Sequence, residues 1–222
     1  MMIRKILLAG AAALGLSALA GAASAALLTG SMTADNAFFA YLGTSPSSLG
    51  TLVDSGNDWP TAFAVTPTTL TGGNHYYLNI EAINYGGPGG FSAVLNLTGT
   101  GFEFANGSET LTTDPSNLAY WSGGYNNGNS NVTPQTWVQP TGGVLQDVSY
   151  GWGNVVGTPN WIWPSDSSSS PGGPSGVCGY CTVDLSVEII STVPEPAGWA
   201  MMLVGFGVLG AALRSRRHTA LA

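Results

Sequence analysis

Between residues 26 and 193 no long stretch repeats apolar side chains at helical spacing. The chain offers instead short β-branched or aromatic runs, each closed by Gly, Pro, Asn or Ser. Such runs bury alternate residues of strands, and the interruptions serve as turns. Strands are expected over 36–42, 62–66, 74–84, 91–97, 117–122, 135–139, 144–150, 160–163 and 182–190. Within 74–84, Tyr76, Leu78, Ile80 and Ala82 alternate with Tyr77, Asn79, Glu81 and Ile83, which puts the first set on the core side. Val183, Leu185, Val187 and Ile189 form a similar set near the end. Many short strands with Gly-rich turns argue for an all-β domain, an antiparallel β-sandwich or barrel. The stretch 165–176, SDSSSSPGGPSG, reads as a surface loop or linker. Too few strand-like residues follow it to form a second core.

Charge narrows the function of this domain. The five Lys and Arg residues are Arg4, Lys5, Arg214, Arg216 and Arg217, all at the two ends of the chain. Of the twelve acidic residues, all but Glu195 fall within 26–193, together with one histidine, His75. Nucleic acid is excluded as a partner, because binding it needs cations to replace the counterions around phosphate. A Lys nucleophile and an Arg clamp are excluded too. With no Lys or Arg, no internal ion pairs are expected, so stability rests on apolar burial and backbone hydrogen bonds. Acids without bases suggest a structural calcium, which prefers carboxylate and amide oxygens. Scattered surface acids that keep the domain soluble are the alternative.

The two ends carry a different message. Arg4 and Lys5 precede an apolar run that closes on Ala23-Ser24-Ala25, the pattern of a secretory signal peptide cleaved after Ala25. At the other end residues 197–213 carry no charge, and Arg214, Arg216 and Arg217 follow at once. That order predicts a transmembrane helix over 197–213 with cytoplasmic anchor charges behind it. Pro194 and Pro196 stop any helix before the span. The expected organisation is a signal segment (1–25), an exported β-sandwich (26–193) and a C-terminal segment (194–222).

Val193-Pro194-Glu195-Pro196, the apolar helix and the arginine cluster together resemble the PEP-CTERM sorting signal. The resemblance implies export in a Gram-negative bacterium that makes exopolysaccharide. It further implies processing near Pro194-Glu195-Pro196 by an exosortase-type membrane peptidase. On that route an inner-membrane-anchored precursor becomes a protein of the cell surface or extracellular matrix. Given export, Cys178 and Cys181 in VCGYC are expected to form a short local disulfide. A zinc site would need about four ligands, more than these residues and His75 supply.

A second pattern runs through 31–166. Asp35-Asn36 heads an aromatic-aliphatic strand, Trp59 sits in a loop, and Ala82-Ile83-Asn84 ends a strand. A Gly-Gly-Pro-Gly-Gly turn over 86–90 and the strand Phe91 to Leu97 follow, and NWIWPSD lies over 160–166. Together these features resemble galactose-binding-domain-like jelly-roll modules. The resemblance implies a β-sandwich that binds sugars, often with a structural calcium. One departure is GTSPSSLG over 43–50, a longer loop where relatives have an Asn-Gly turn. A ligand pocket shaped by that turn in relatives differs here.

For chemistry, His75 is the single imidazole available to a Ser-His-Asp arrangement, and no G-x-S-x-G accompanies it. A glycosidase needs two opposed carboxylates, and the spacing of the acids singles out no pair. Binding fits better. Trp59 lies beside Asn57 and Asp58, an indole face with amide and carboxylate oxygens suited to a sugar ring. Asp35 and Asn36 are candidates for calcium binding at Asp35 or for backbone capping at the strand start. Trp161 and Trp163 share one strand face and are expected in the core. The reading is a non-catalytic exported protein that contacts extracellular polysaccharide. A matrix protein without a specific ligand, and a glycan hydrolase or its accessory module, are the alternatives.

Overall fold

The structure is a computed structural model that describes residues 24–87, 89–126, 140, 145–147, 159–164, 181–193 and 202–210. The chain divides into two units: Ala25–Thr192, and Met1–Ser24 with Val193–Ala222.

In the larger unit the described strands are β1 (Ala25–Asp35), β2 (Ala37–Gly43), β3 (Thr51–Gly56), β4 (Phe63–Ala64), β5 (Thr68–Thr71) and β6 (Tyr76–Asn84). They continue as β7 (Gly90–Gly99), β8 (Phe102–Phe104), β9 (Thr110–Thr112), β10 (Ser122–Asn126), β11 (Leu145–Asp147), β12 (Ile162–Pro164) and β13 (Cys181–Ser191). One sheet has the order β11-β12-β7-β1-β4, with β5 also on β1 and β9 on β7. The other has the order β10-β13-β6-β2-β3, with β8 also on β13. The long ladders are antiparallel, as β1 on β7 and β13 on β6 illustrate. The expected antiparallel β architecture is therefore present, as two open sheets.

One apolar cluster draws on both sheets: Leu28, Met32 and Leu95 from the first, Phe38, Ile80 and Leu185 from the second. Each is almost wholly removed from water, which stabilises the fold by roughly 1.5–3 kcal/mol per large side chain. Leu78, Ile80 and Ala82 face this core as their alternation demands, with Val183, Leu185, Val187 and Ile189 across the ladder. Trp161 and Trp163 are also buried.

The chain changes sheets twice at one place. β1 passes to β2 through Asn36, and β6 passes to β7 through residues 85–89. Asn36 joins these corners: its N–H donates to the Ile83 carbonyl at 2.6 Å, and its Oδ1 accepts from the Tyr85 N–H at 2.6 Å. Asn84 braces its own turn by donating to the Gly87 carbonyl and accepting from the Gly86 N–H, each at 2.9 Å. The glycines that follow have a steric reason. A Cβ on Gly89 would stand 2.8 Å from the Trp163 ring, and one on Gly90 would stand 2.7 Å from the Trp161 ring. The bare backbone lets both indoles lie against it.

Several expectations need correction. The strand expected over 117–122 is a 3-10 turn, Pro115–Tyr120, followed by β10. Pro115 suits a first-turn position, where a missing N–H costs nothing. The Asn117 N–H then donates to the Asp114 carbonyl at 2.8 Å and closes the turn. An ionic contact is also available without Lys or Arg, since His75 Nδ1 lies 3.3 Å from Glu188 Oε1 and pairs ionically when the imidazole is protonated. Strands β1, β3, β5, β8 and β9, and β10 beyond Ser122, were not expected. They are short, or rich in Thr, Ser and Gly, and are held by pairing rather than by local preference. The expected strand over 135–139 lies outside the described residues.

Of the smaller unit the structure describes a helix over residues 202–210, exposed throughout. Among the described residues no helix is long and apolar enough to cross a membrane. The rest of the expected span 197–213 and the signal segment up to residue 23 lie outside the described residues.

Candidate functional site

The second sheet uses both of its faces. On the side away from the core, Tyr77, Asn79 and Glu81 of β6 pair across the ladder with Glu188, Ser186 and Asp184 of β13. At one end of this row the side chains are buried, Glu81 and Asn79 fully and Asp184 nearly so. Buried polar groups are costly unless partnered, and hydrogen bonds tie much of the row together. Ser186 Oγ donates to Asn79 Oδ1 at 2.6 Å, and Asn79 Nδ2 donates to the Ser48 carbonyl at 2.8 Å. Asn126 Nδ2 donates to Asp184 Oδ2 at 2.9 Å. Tyr41 on β2 is hydrogen-bonded to Glu81, and burial, with that carboxylate beside it, pushes the phenol up to about 12.

At its other end the row opens into a groove of about 320 Å³. Tyr77, Ser186 and Glu188 form one part of its lining, with Tyr120 and Ser122 beside them. Pro46, from the loop between β2 and β3, lines it as well. The 3-10 turn presents Tyr120 to solvent at 39 % exposure. The Tyr77 hydroxyl donates to Glu188 Oε1 at 3.1 Å, and His75 contacts the same oxygen. Burial, then the Glu188 charge and the bond to it, hold the Tyr77 phenol above its ordinary range. Among the described residues Glu188 Oε2 has no hydrogen-bond partner, so it remains an open acceptor. The site thus offers two aromatic rings, hydroxyls and one carboxylate, a set that suits a polyhydroxylated ligand.

The residues expected from sequence lie elsewhere, on and beside the first sheet. Asp35 ends β1 and is buried, and its Oδ1 has no hydrogen-bond partner. Desolvation raises its carboxyl from 3.8 to about 6. Asn36 is a capping residue, bound to Tyr85 as described. Asp58 is engaged in its own turn, accepting from Thr61 Oγ1 at 2.6 Å, while Asn57 is exposed. Trp59 is 39 % exposed, and its main-chain carbonyl accepts from Thr33 Oγ1 at 3.0 Å. That bond brings the Trp59 loop to within two positions of Asp35 along β1, and it is the main convergence within the expected set.

A calcium ion takes six to eight oxygens. Near Asp35 the Thr33 and Ser92 hydroxyls donate to the carbonyls of Trp59 and Pro159. Among the described residues no group of three or more His, Cys, Asp or Glu could hold a metal ion.

Sequence reasoning missed Tyr77, Glu188 and Tyr120. Alternation gave a usable signal for the first two, since it placed Tyr77 opposite the core set. The partner strand could not be read without the register. The loop over 43–50, where the sequence departs from the pattern it resembles, delivers Pro46 to the groove and the Ser48 carbonyl to Asn79.

The C-terminal end supplies a different kind of functional signal, because Val193, two residues past the end of the last strand, opens the Val-Pro-Glu-Pro run. Residues 192–217 match the PEP-CTERM protein-sorting motif. The PEP-CTERM segment marks a protein that is exported, processed by an exosortase, and sorted to the cell surface or extracellular space. Pro194, Glu195 and Pro196 lie outside the described residues, as do Arg214, Arg216 and Arg217. Cys181, at the head of β13, is disulfide-bonded, and Cys178 too lies outside the described residues. No curated protein and no solved structure matches the chain.

Proposed function

We propose that this PEP-CTERM protein is a non-catalytic surface or matrix protein that contacts exopolysaccharide through the groove on the outer face of the second sheet. The observation that carries the reading is the Tyr77–Glu188 pair beside Tyr120: ring faces for sugar C–H groups, with a carboxylate and hydroxyls for sugar hydroxyls. Binding is favoured over hydrolysis because Glu188 is the one carboxylate among the described residues lining the groove, and a glycosidase works with two. In this reading the signal peptide directs export. The apolar segment 197–213 holds the precursor in the inner membrane, with its arginines inside, until processing releases the domain.

The test is calorimetry of the full chain in detergent against a panel of polysaccharides. Saturable binding that weakens on Tyr120→Ala supports the groove. Binding that survives Tyr120→Ala but is lost on Trp59→Ala would move the site to the Trp59 loop. An intact fold with no binding to any glycan would leave a matrix protein without a specific ligand.

A further inference from the structure

We infer that the groove takes an uncharged polysaccharide segment, rich in free hydroxyls and free of uronate, sulfate or phosphate groups. This rests on the glycan reading above and narrows it to one ligand class. Carboxylate, sulfate and phosphate groups are recognised by Arg, Lys, helix N-termini or bridging metals. The domain over 26–193 has no Lys and no Arg. Its one imidazole, His75, is turned to Glu188 rather than left for a ligand.

Glu188 reinforces the exclusion, as the one carboxylate among the described residues that line the groove. An anionic sugar would be desolvated beside like charge with no counter-charge to meet it, a juxtaposition that disfavours a partner strongly. Among the described residues no set of carboxylates and imidazoles could hold a bridging metal.

A neutral chain meets the same groups favourably. Glu188 has one oxygen occupied by Tyr77 and His75 and the other open, so it can accept a hydroxyl hydrogen bond without giving up its own contacts. Hydrogen bonds to a charged acceptor are among the stronger ones. The tyrosine rings supply the apolar surface that sugar faces need.

The full chain in detergent is titrated with neutral oligosaccharides (glucan, mannan, xylan) and with acidic ones (polyuronate, sulfated glycan), at low and high salt. Saturable binding of a neutral chain is expected, unchanged by salt because no ion pair forms. Acidic chains are expected to bind at least about tenfold more weakly at low salt, where repulsion is least screened. Tyr120→Ala, at an exposed position, is expected to weaken the neutral ligand by about tenfold, the worth of one well-placed stacking contact. Glu188→Gln is expected to weaken it as well, with the melting temperature as a check on the fold. Tight binding of an acidic chain, with or without added calcium, overturns the inference and leaves the glycan reading standing. Binding to neither class overturns both.

Discussion

Tyr77 and Glu188 stand opposite each other across the β6–β13 ladder, and the phenol donates a 3.1 Å hydrogen bond to the carboxylate. The bond fixes the tyrosine ring at the groove and leaves half of the carboxylate open. Tyr77→Phe removes the bond and keeps the ring. Its expected effect on stability is within about 1 kcal/mol, the net worth of a part-exposed hydrogen bond, with glycan affinity nearly retained. Tyr77→Ala removes the ring and should cost most of the affinity. Equal losses from the two variants, measured by calorimetry, would show that the hydroxyl and not the ring carries binding.

Asp35 makes stability depend on pH in an unusual direction. Burial lifts its carboxyl from 3.8 to about 6, so the folded state holds this proton more tightly than the unfolded chain does. The contribution is fully present below about pH 3.8 and is lost as pH rises through about 6. At neutral pH the fold carries a buried carboxylate at a cost on the order of 3 kcal/mol. Asp35→Asn should therefore raise the melting temperature at pH 7, and the gain over the parent should vanish near pH 4. A gain that stays constant across that range would mean that the carboxyl does not titrate as described.

Gly90→Ala tests the seat of Trp161. The new methyl would stand 2.7 Å from the indole, with no flexible chain end to move aside. A loss of about 1–3 kcal/mol is expected, the usual range for overpacking. Gly124→Ala on β10, with nothing within 4 Å of the added carbon, is the matched control and should be tolerated. Denaturant unfolding of the two variants compares them directly.

Thr33 and Trp59 separate main-chain from side-chain roles. Thr33 Oγ1 bonds the Trp59 carbonyl, which survives truncation of the indole. Trp59→Ala keeps that bond and should cost less stability than its loss does. Thr33→Val strips the loop of its anchor at a buried position and should cost about 1 kcal/mol or more. The reverse ranking in thermal melts would show that the indole itself holds the loop down.

The sorting segment predicts a processing defect. Changing Pro194 and Pro196 to Ala should leave the protein at precursor mass in the membrane fraction, with less at the cell surface. Fractionation followed by immunoblotting reads this directly, and normal maturation would mean that the peptidase relies on other features of the segment.

The strands that bear the core were legible because burial writes itself into alternation, as Leu78–Ile80–Ala82 and Val183–Leu185–Val187–Ile189 do. Strands such as β3 and β9 were not, because Thr, Ser and Asp carry no burial signal and pair only once a neighbour is in place. The 3-10 turn was hidden for a different reason, since Leu118, Tyr120 and Trp121 resemble a strand until Pro115 is given its weight. The groove was out of reach, because it depends on which strand lies beside β6. Asp35 and Trp59 stand out in the sequence by chemical type alone, and the fold brings the Trp59 carbonyl to the strand beside Asp35.

The last strand also has a mechanical meaning. β13 is an interior strand, laddered to β6 along one edge and to β10 and β8 along the other, and the chain leaves its end directly into the sorting segment. Drawing β13 out of the sheet therefore means breaking bonds on both of its edges. An edge strand in the same place would give up a single ladder.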